Sequence, residues 1–172
     1  MFILIDSREK KKELERITAQ FDKLGVKYDI NKLYVGDYMA TDNAKLIVDR
    51  KKDLQELCGN VTQQHERFVR EFVKAKDAGI QLVILLEHGN GIKCLEDIYF
   101  WKNPRRVDHK FRMVNGQRKY IYIPEHKRAT SGETLYKILC SIRDKYGVMF
   151  EFCDKSETGE KIVKLLGGGS DG

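Results

Sequence analysis

The stretch Leu46-Ile47-Val48-Asp49-Arg50-Lys51 decides how this chain folds and where its chemistry lies. Its apolar half predicts a β-strand, and its charged half continues that strand toward the carboxyl end. Because alternate residues of a strand share a face, Asp49 and Lys51 are expected to project together. Arg50 is expected to point to the opposite side of the sheet.

A second carboxylate precedes this strand, in the turn Gly36-Asp37-Tyr38. Mg²⁺ prefers oxygen ligands and keeps several water molecules around it. Asp37 and Asp49 are therefore candidate ligands for Mg²⁺ or Mn²⁺, and Lys51 is suited to polarise an attacking water or to offset charge on a phosphate. Two carboxylates and a lysine in this order are the minimum for metal-dependent hydrolysis of a phosphodiester bond. Taken one at a time, each would more simply be a solvated surface group.

Further charged side chains are expected near the same edge of the sheet. Asp6 ends an apolar run at the start of the sequence, which predicts a buried strand that delivers a further ligand or supporting acid. The planar guanidinium groups of Arg8 and Arg50 suit bidentate contact with a phosphate. Asp53 and Glu56 both open the next short helix, and either could be the last acid of the site.

Hydrophobic periodicity predicts alternating strands and helices around this centre. Helices are expected over about 14–24, 62–78, 95–100, 131–146 and 157–166, and strands over about 2–6, 26–30, 46–51, 80–86 and 148–153. The segment Thr130-Ser131-Gly132-Glu133 has the spacing of a capping box. Together these elements indicate an α/β fold in three layers, with a central mixed β-sheet flanked by helices. We expect one domain over 1–166 and a disordered tail over 167–172.

A basic β-hairpin is predicted as an insertion over 102–128. The dipeptide Asn115-Gly116 favours a tight hairpin turn because both of its residues readily adopt positive φ. This segment contains nine Lys or Arg residues and only two acids, whereas the whole chain has a net charge of +6. The remainder of the chain is therefore close to neutral, and a polyanion such as DNA is the natural partner of the hairpin. The alternative is a solvated, charged surface hairpin.

The motifs resemble those of the nuclease domain of the XPF family of structure-specific DNA endonucleases, a branch of the restriction-endonuclease-like (PD-(D/E)xK) superfamily. The family pattern is an early Asp-x-Arg-Glu, then Gly-Asp, then Glu-Arg-Lys followed three residues later by Asp. The matching segments are Ile5-Asp6-Ser7-Arg8-Glu9, Val35-Gly36-Asp37-Tyr38 and Val48-Asp49-Arg50-Lys51, and the resemblance spans most of 1–101 and 130–166. Asp49 stands where the family has Glu. Glu56 matches the final acid if one residue is inserted, whereas Asp53 comes two residues after Lys51.

The resemblance implies a restriction-endonuclease-like fold and a Mg²⁺- or Mn²⁺-dependent endonuclease that cuts branched or flapped DNA. The residues expected to carry catalysis are Asp6, Asp37, Asp49, Arg50, Lys51 and Glu56, with Asp37 and Asp49 as the metal ligands. The residues expected to bind DNA are Arg8, Arg67, Arg70, Arg105, Arg106, Arg112, Arg118 and Lys119. A homodimer through the C-terminal helices is implied in the same way.

Two other functions compete with this interpretation. The shorter Asp49 and the shifted last acid allow a DNA-binding scaffold that has kept the fold and lost turnover. An enzyme for small phosphorylated substrates is less favoured because the sequence has no glycine-rich phosphate loop. Near the proposed site, His65 and the pair Glu87-His88 resemble catalytic or metal-binding groups, but structural roles are expected for them.

Composition excludes several classes of protein. The four cysteines lack a C-x-x-C pair, which argues against a zinc knuckle and against a disulfide framework. No apolar run approaches the roughly 20 residues that span a membrane, and the first residues lack the features of a signal peptide. A soluble, intracellular protein is expected.

Overall fold

A six-stranded mixed sheet lies between two layers of helices in the computed structural model, which describes residues 1–89 and 91–167. The strands of this sheet are β1 (Phe2–Asp6), β2 (Lys27–Asn31), β3 (Tyr38–Ala40), β4 (Asn43–Lys51), β5 (Gln81–Glu87) and β8 (Met149–Cys153). The helices are α1 (Lys11–Lys23), α2 (Leu54–Thr62), α3 (His65–Asp77), α4 (Gly132–Tyr146) and α5 (Thr158–Leu166). Short 3-10 helices form at Glu96–Phe100 and Glu125–Lys127. The expected α/β fold with a central mixed sheet flanked by helices is confirmed.

The order of strands across the sheet is β2-β1-β3-β4-β5-β8. β4, β5 and β8 run parallel, whereas β3 is antiparallel to both of its neighbours, β1 and β4. Alternation along β4 and β5 divides the core. Ile47 and Ile84 pack toward α2, α3 and α4, while Val48 and Leu85 pack toward α1 and α5. The next residues of β4, from Asp49 to Lys51, continue to alternate between these two sides of the sheet.

Three elements differ in detail from the sequence-based expectation. The charged helix expected over 62–78 begins at His65, because α2 ends where the backbone N–H groups of Gln63 and Gln64 both donate to the carbonyl of Gly59. Ser131 rather than Thr130 caps α4, since its Oγ accepts from the backbone N–H of Thr134 at 3.1 Å. β2 is an edge strand and is largely exposed rather than half-buried.

The expected hairpin forms a separate two-stranded sheet of β6 (His109–Val114) and β7 (Gln117–Tyr122). Asn115 and Gly116 at its tip have φ values of 50° and 76°, as the type I′ turn requires. Within the described ranges 1–89 and 91–167, no helix has the length and apolar character needed to span a membrane. Of the tail expected to be disordered, residues 168–172 lie outside the described residues, and Gly167 is the C-cap of α5.

Candidate active site

β4 directs Asp49 and Lys51 toward α2 and α3, as strand alternation predicts. Asp49 comes two residues after Ile47 and therefore lies on the same face of the sheet, where Ile47 packs into the core. Lys51 Nζ lies 2.7 Å from Asp49 Oδ1 and 5.3 Å from the centroid of the Phe68 ring of α3. Both side chains are almost completely buried. A buried lysine is therefore held beside a buried carboxylate, at the end of the strand.

Asp37 reaches β4 from the turn before β3. Its backbone N–H donates to the carbonyl of Val48 at 2.9 Å, and its Oδ2 accepts from the backbone N–H of Arg50 at 2.8 Å. The preceding Gly36 has φ +67°, and a Cβ there would overlap Ile47 Cγ2 and lie 3.2 Å from the carbonyl oxygen of Val48. Only glycine lets the turn approach β4 this closely, so Gly36 brings Asp37 to the site.

The charges of the site act on the pKa values of Asp37 and Lys51. Burial, and next the charge of Asp49, raises the pKa of Asp37 well above its usual range. Burial acts to lower the pKa of Lys51, but the carboxylates of Asp49 and Asp37 outweigh it and raise that pKa, so the lysine stays charged. The site therefore holds one fixed cation against two carboxyl groups that repel each other.

These residues fit a divalent cation. Asp49 Oδ2 is buried and has no hydrogen-bond partner, although an unpaired buried carboxylate oxygen is costly. A cation shared by Asp49 and Asp37 would pair this oxygen and relieve the repulsion between the two carboxyl groups. In the part of the chain that the structure describes, no cluster of three or more His, Cys, Asp or Glu side chains is arranged as a metal site. Asp37 and Asp49 would supply the protein ligands, with water or substrate completing the shell.

A cavity of about 420 Å³ opens over these groups. Its lining includes the exposed Arg8, Lys10, Lys52 and Arg67 at its rim, the half-buried Asp37, and the buried Asp49 and Lys51. Of these rim residues, Arg67 has a side chain that is 69% exposed. The carboxylates thus lie at the bottom of an opening whose rim is basic, which suits a phosphate backbone approaching from solvent.

Four more acids line the cavity, namely Glu9, Glu13, Glu56 and Glu71, and of these only Glu56 was expected there. Glu56 lines it and accepts from the backbone N–H of Lys52 at 2.9 Å, whereas Asp53 caps α2 by accepting from the backbone N–H of Glu56 at 2.8 Å. Sequence reasoning missed Glu71 on α3. Burial, and next the charge of Asp49, raises the pKa of Glu71. Its position one helical turn after Arg67 was the available signal, because residues i and i+4 share a helix face.

Arg50 also lines the cavity, but its side chain points to the other face of the sheet and enters a buried ion-pair network. Its guanidinium pairs with Glu9 and, at 3.1 Å, with Glu87. Glu87 also pairs with Arg16 of α1 and accepts from Thr158 Oγ1 of α5 at 2.6 Å. Burial raises the pKa of Glu9, while the charges of Glu9 and Glu87 overcome burial and raise the pKa of Arg50. Arg50 therefore fastens β4 to the α1–α5 layer, and its charge is already matched by carboxylates.

Asp6 acts on the cavity through Arg8. Its Oδ1 lies 2.6 Å from Arg8 Nε, its Oδ2 lies 3.0 Å from an Arg8 Nη, and the backbone N–H of Leu33 donates to Oδ2 at 2.8 Å. Burial works against ionisation, but these hydrogen bonds lower the pKa of Asp6. Both carboxylate oxygens are thus occupied, and Asp6 does not line the cavity. It orients a guanidinium that does.

Of the remaining residues expected to bind DNA, only Arg105 lines an opening beside the site. Arg105 lines an adjoining depression of about 380 Å³ together with Lys51 and Arg67. Arg106 pairs with Glu125 and donates to the carbonyl of Ala129 at 2.5 Å. Arg70 is exposed on α3 and lines neither opening. Three more, which lie on the hairpin, are Arg112, Arg118 and Lys119.

His65 and His88, which resemble catalytic or metal-binding groups in the sequence, lie outside the cavity. His65 Nδ1 lies 3.2 Å from the carbonyl oxygen of Val61, one turn back along the chain. His88 Nδ1 is 3.4 Å from the backbone nitrogen of Leu54, and burial lowers its pKa. Its neighbour Glu87 belongs to the buried network of Arg50. These placements agree with the structural roles expected for them.

The architecture is similar to that of two solved structures. XPF from Aeropyrum pernix has a TM-score of 0.61 and 17% identity, covering 96% of this chain and 63% of that chain. The same protein in complex with DNA has a TM-score of 0.61 and 16% identity, covering 96% of this chain and 62% of that chain. This chain thus spans less than two thirds of those chains, and at such identity the likeness shows the fold. No curated protein matches the sequence.

The family comparison covers nearly the whole chain. The ERCC4 domain family matches residues 5–165, a range that contains Asp37, Asp49 and Lys51 and every element of the sheet except the first residues of β1. The expected resemblance to an XPF-type nuclease domain is thereby confirmed, and the chain belongs to the ERCC4 domain family.

Proposed function

We propose that this chain is a metal-dependent DNA endonuclease that hydrolyses phosphodiester bonds in branched or flapped DNA. The observation that carries the proposal is the meeting of Asp37, Asp49 and Lys51 under one basic-rimmed cavity, with Asp49 Oδ2 buried and unpaired. A structural ion pair alone would not require the second carboxylate. A metal-dependent hydrolase needs both, beside a cation that is present before substrate arrives.

Each residue has a distinct part in the proposed reaction. Mg²⁺ or Mn²⁺, when bound by Asp37 and Asp49, would polarise the phosphate and favour ionisation of a bound water. Lys51 keeps its proton beside Asp49, so it can hold the attacking water or stabilise charge on a phosphate oxygen. Arg8, oriented by Asp6, and Arg67 would hold the flanking phosphates at the rim. Glu56 and Glu71 would bind water within the cavity.

DNA as the substrate is supported by the charge of the rim and by the fold. The related XPF from Aeropyrum pernix is known in complex with DNA. Arg105 extends the basic surface from the cavity toward the hairpin, whose segment 102–128 carries nine basic residues and two acids. The preference for branched or flapped DNA is the finer part of the proposal. It follows from the family resemblance.

A cleavage assay with active-site variants tests the activity. Labelled fork, flap, four-way junction and linear duplex are incubated with Mg²⁺, Mn²⁺ or EDTA. Wild type is expected to cut a branched substrate only with metal, whereas Asp37→Asn, Asp49→Asn and Lys51→Met should lose at least about 10²-fold in rate, since each removes a group that stabilises the transition state. Asp22→Asn and Lys23→Met, exposed on α1, are matched controls and should cut as wild type does.

A DNA-binding scaffold without turnover is the competing function. It is favoured by the pairing of Lys51 with Asp49 Oδ1, which occupies one of the four carboxylate oxygens available to a metal. Metal-dependent binding of a fork without any product would support the scaffold. Equal cutting by wild type and by the Asp37 and Lys51 variants would show that the activity belongs to a contaminant and would reject the enzyme.

A homodimer through the C-terminal helices stays part of the proposal. The apolar faces of α4 and α5, including Leu139 and Ile162, already pack into the core of the same chain. A dimer would therefore use the outer faces of these helices. Light scattering at several concentrations tests it, and a constant monomer mass would reject it.

A further inference from the structure

The hairpin β6–β7 has two faces of different chemistry. Residues directly opposite each other in an antiparallel pair share a face, and the face alternates along the strands. One face carries the pairs His109–Tyr122, Phe111–Tyr120 and Met113–Arg118. The other face carries Lys110–Ile121 and Arg112–Lys119. We call these the aromatic face and the basic face.

The rings of the aromatic face form a continuous ladder. The centroids of Phe111 and Tyr120 are 4.2 Å apart, and those of His109 and Tyr122 are 5.7 Å apart. His109 also contacts Tyr120 at 6.3 Å, which joins the two pairs. The Arg118 guanidinium lies over the Phe111 ring at 5.8 Å. The side chains hold one another in place before any ligand binds.

This ladder faces solvent. Phe111, Tyr120 and Tyr122 are 59%, 69% and 60% exposed, and Met113 is 62% exposed. The hairpin is a sheet of its own, so these rings are not needed to cover the core of the central sheet. Cross-strand pairing of the rings stabilises the hairpin, but it leaves their outer surfaces in water, and a contiguous exposed apolar patch of this kind marks an interaction site.

We propose that the aromatic face binds unpaired nucleotides, whose bases stack on Phe111, Tyr120 and Tyr122 while the basic residues of the hairpin neutralise the phosphates. Single-stranded nucleic acid is recognised by this combination of aromatic platforms and a basic track. The positive charge of the segment 102–128 favours a nucleic acid over a protein as the ligand of this face. The nine basic residues against two acids over 102–128 complement a polyanion, whereas the core of a protein interface is depleted of lysine and other charges.

The position of the hairpin connects this surface to the cavity. Arg105 precedes β6 and lines the depression that Lys51 and Arg67 also line. Arg106 anchors the base of the hairpin through Glu125 and the carbonyl of Ala129. A strand that stacks on the hairpin would therefore continue past Arg105 toward Asp49. The inference deepens the proposed nuclease function, on which it rests for its biological meaning, by assigning a surface of this chain to the unpaired strand of the substrate; the binding itself needs no cleavage.

Fluorescence anisotropy in EDTA tests the inference. Three labelled ligands of equal length are compared, namely an oligothymidine, the same backbone without bases, and a duplex. Replacing Phe111 and Tyr120 together by Ala is expected to weaken oligothymidine binding at least about tenfold and to leave the base-free strand and the duplex unchanged. Tyr120→Phe should bind oligothymidine as wild type does, because it keeps the ring. Tyr34→Ala is the matched control, since Tyr34 is 66% exposed elsewhere.

The basic face supplies the opposite signature. Replacing Arg112 and Lys119 together by Gln should weaken all three ligands alike and should reduce the dependence of affinity on salt. Circular dichroism melting of each variant shows whether the fold is intact. Unchanged oligothymidine binding by the Ala variant, or an equal loss for the base-free strand, would overturn the inference. The inference would also be overturned if the wild type is a dimer and the Ala variant is a monomer that still binds oligothymidine, because the aromatic face would then join two copies of the chain.

These results separate the inference from the nuclease proposal. Ring-dependent binding by a protein that never cleaves DNA would support the aromatic face and reject the enzyme. If the protein cleaves DNA with metal but binds oligothymidine equally well with and without the aromatic rings, the enzyme would be supported and the aromatic face rejected.

Discussion

Replacing Arg50 by Met should destabilise the protein by about 3 kcal/mol, the lower end of the range for removing one partner of a buried ion pair. The Arg50 side chain is 6% exposed, and its partners Glu9 and Glu87 are 8% and 0% exposed. Glu87 would keep Arg16 and Thr158 as partners. Glu9 would keep only the Tyr38 hydroxyl, at 3.4 Å, so the cost is essentially that of one uncompensated carboxylate.

The loss should depend on pH. Burial already raises the pKa of Glu9, and removal of Arg50 raises it further. A carboxyl group with a raised pKa in the native state binds more protons when folded than when unfolded, so the variant should regain stability as pH falls through that pKa. Adding Glu9→Gln to Arg50→Met should recover part of the loss at neutral pH, because the buried charge is then absent.

Urea unfolding followed by circular dichroism measures these free energies across a series of buffers. Arg143→Met is the matched control: its Nε–Asp144 pair is 2.9 Å long but exposed to solvent, so its loss should be far smaller than that of Arg50→Met. A loss below about 1 kcal/mol for Arg50→Met, or one that does not change with pH, would refute the assignment of Arg50 as the anchor of β4.

Three further predictions use the same unfolding measurement. Gly36→Ala should cost more than Gly25→Ala, because both have positive φ but only at Gly36 would the new Cβ meet Ile47; equal losses would contradict the close approach of this turn. The raised pKa of Asp37 means that wild-type stability falls as pH rises from the ordinary carboxyl range through that pKa, and Asp37→Asn should flatten this decline; an unaltered slope would place the titration elsewhere. The lowered pKa of Asp6 acts in the opposite direction, so Asp6→Asn should lose stability at neutral pH and little in acid below that pKa; a loss that persists in acid would indicate a packing defect.

Local pattern was enough to predict the layers of the fold and the common direction of Asp49 and Lys51. Strand alternation is a property of the backbone, so the shared face of these two residues follows from spacing alone. The hairpin turn at Asn115-Gly116 was predictable for the same reason, since its φ values belong to those residue types.

The partners of Arg50 were not predictable from local pattern. Glu9 and Glu87 lie 41 and 37 positions away in sequence and meet Arg50 only because α1 and β5 pack beside β4. The same holds for Glu71, whose approach to Asp49 depends on how α3 lies on the sheet. For Asp6 the sequence predicted either a further ligand or a supporting acid, and it could not choose between them because the contacts of its oxygens with Arg8 and Leu33 are formed only in the fold.

The opposite directions of Asp49 and Arg50 make the two faces of β4 exchangeable by a slip of one residue. Such a slip would turn Arg50 toward α2 and α3 and bury Asp49 and Lys51 beside Glu9 and Glu87. An insertion between Ile47 and Asp49 should therefore abolish function even where every charged residue is kept. An insertion near Ala40 meets an irregular register already present between β3 and β4, where an added residue leaves the downstream pairing with β5 intact. The spacing within β4, as much as the residues themselves, is what the site requires.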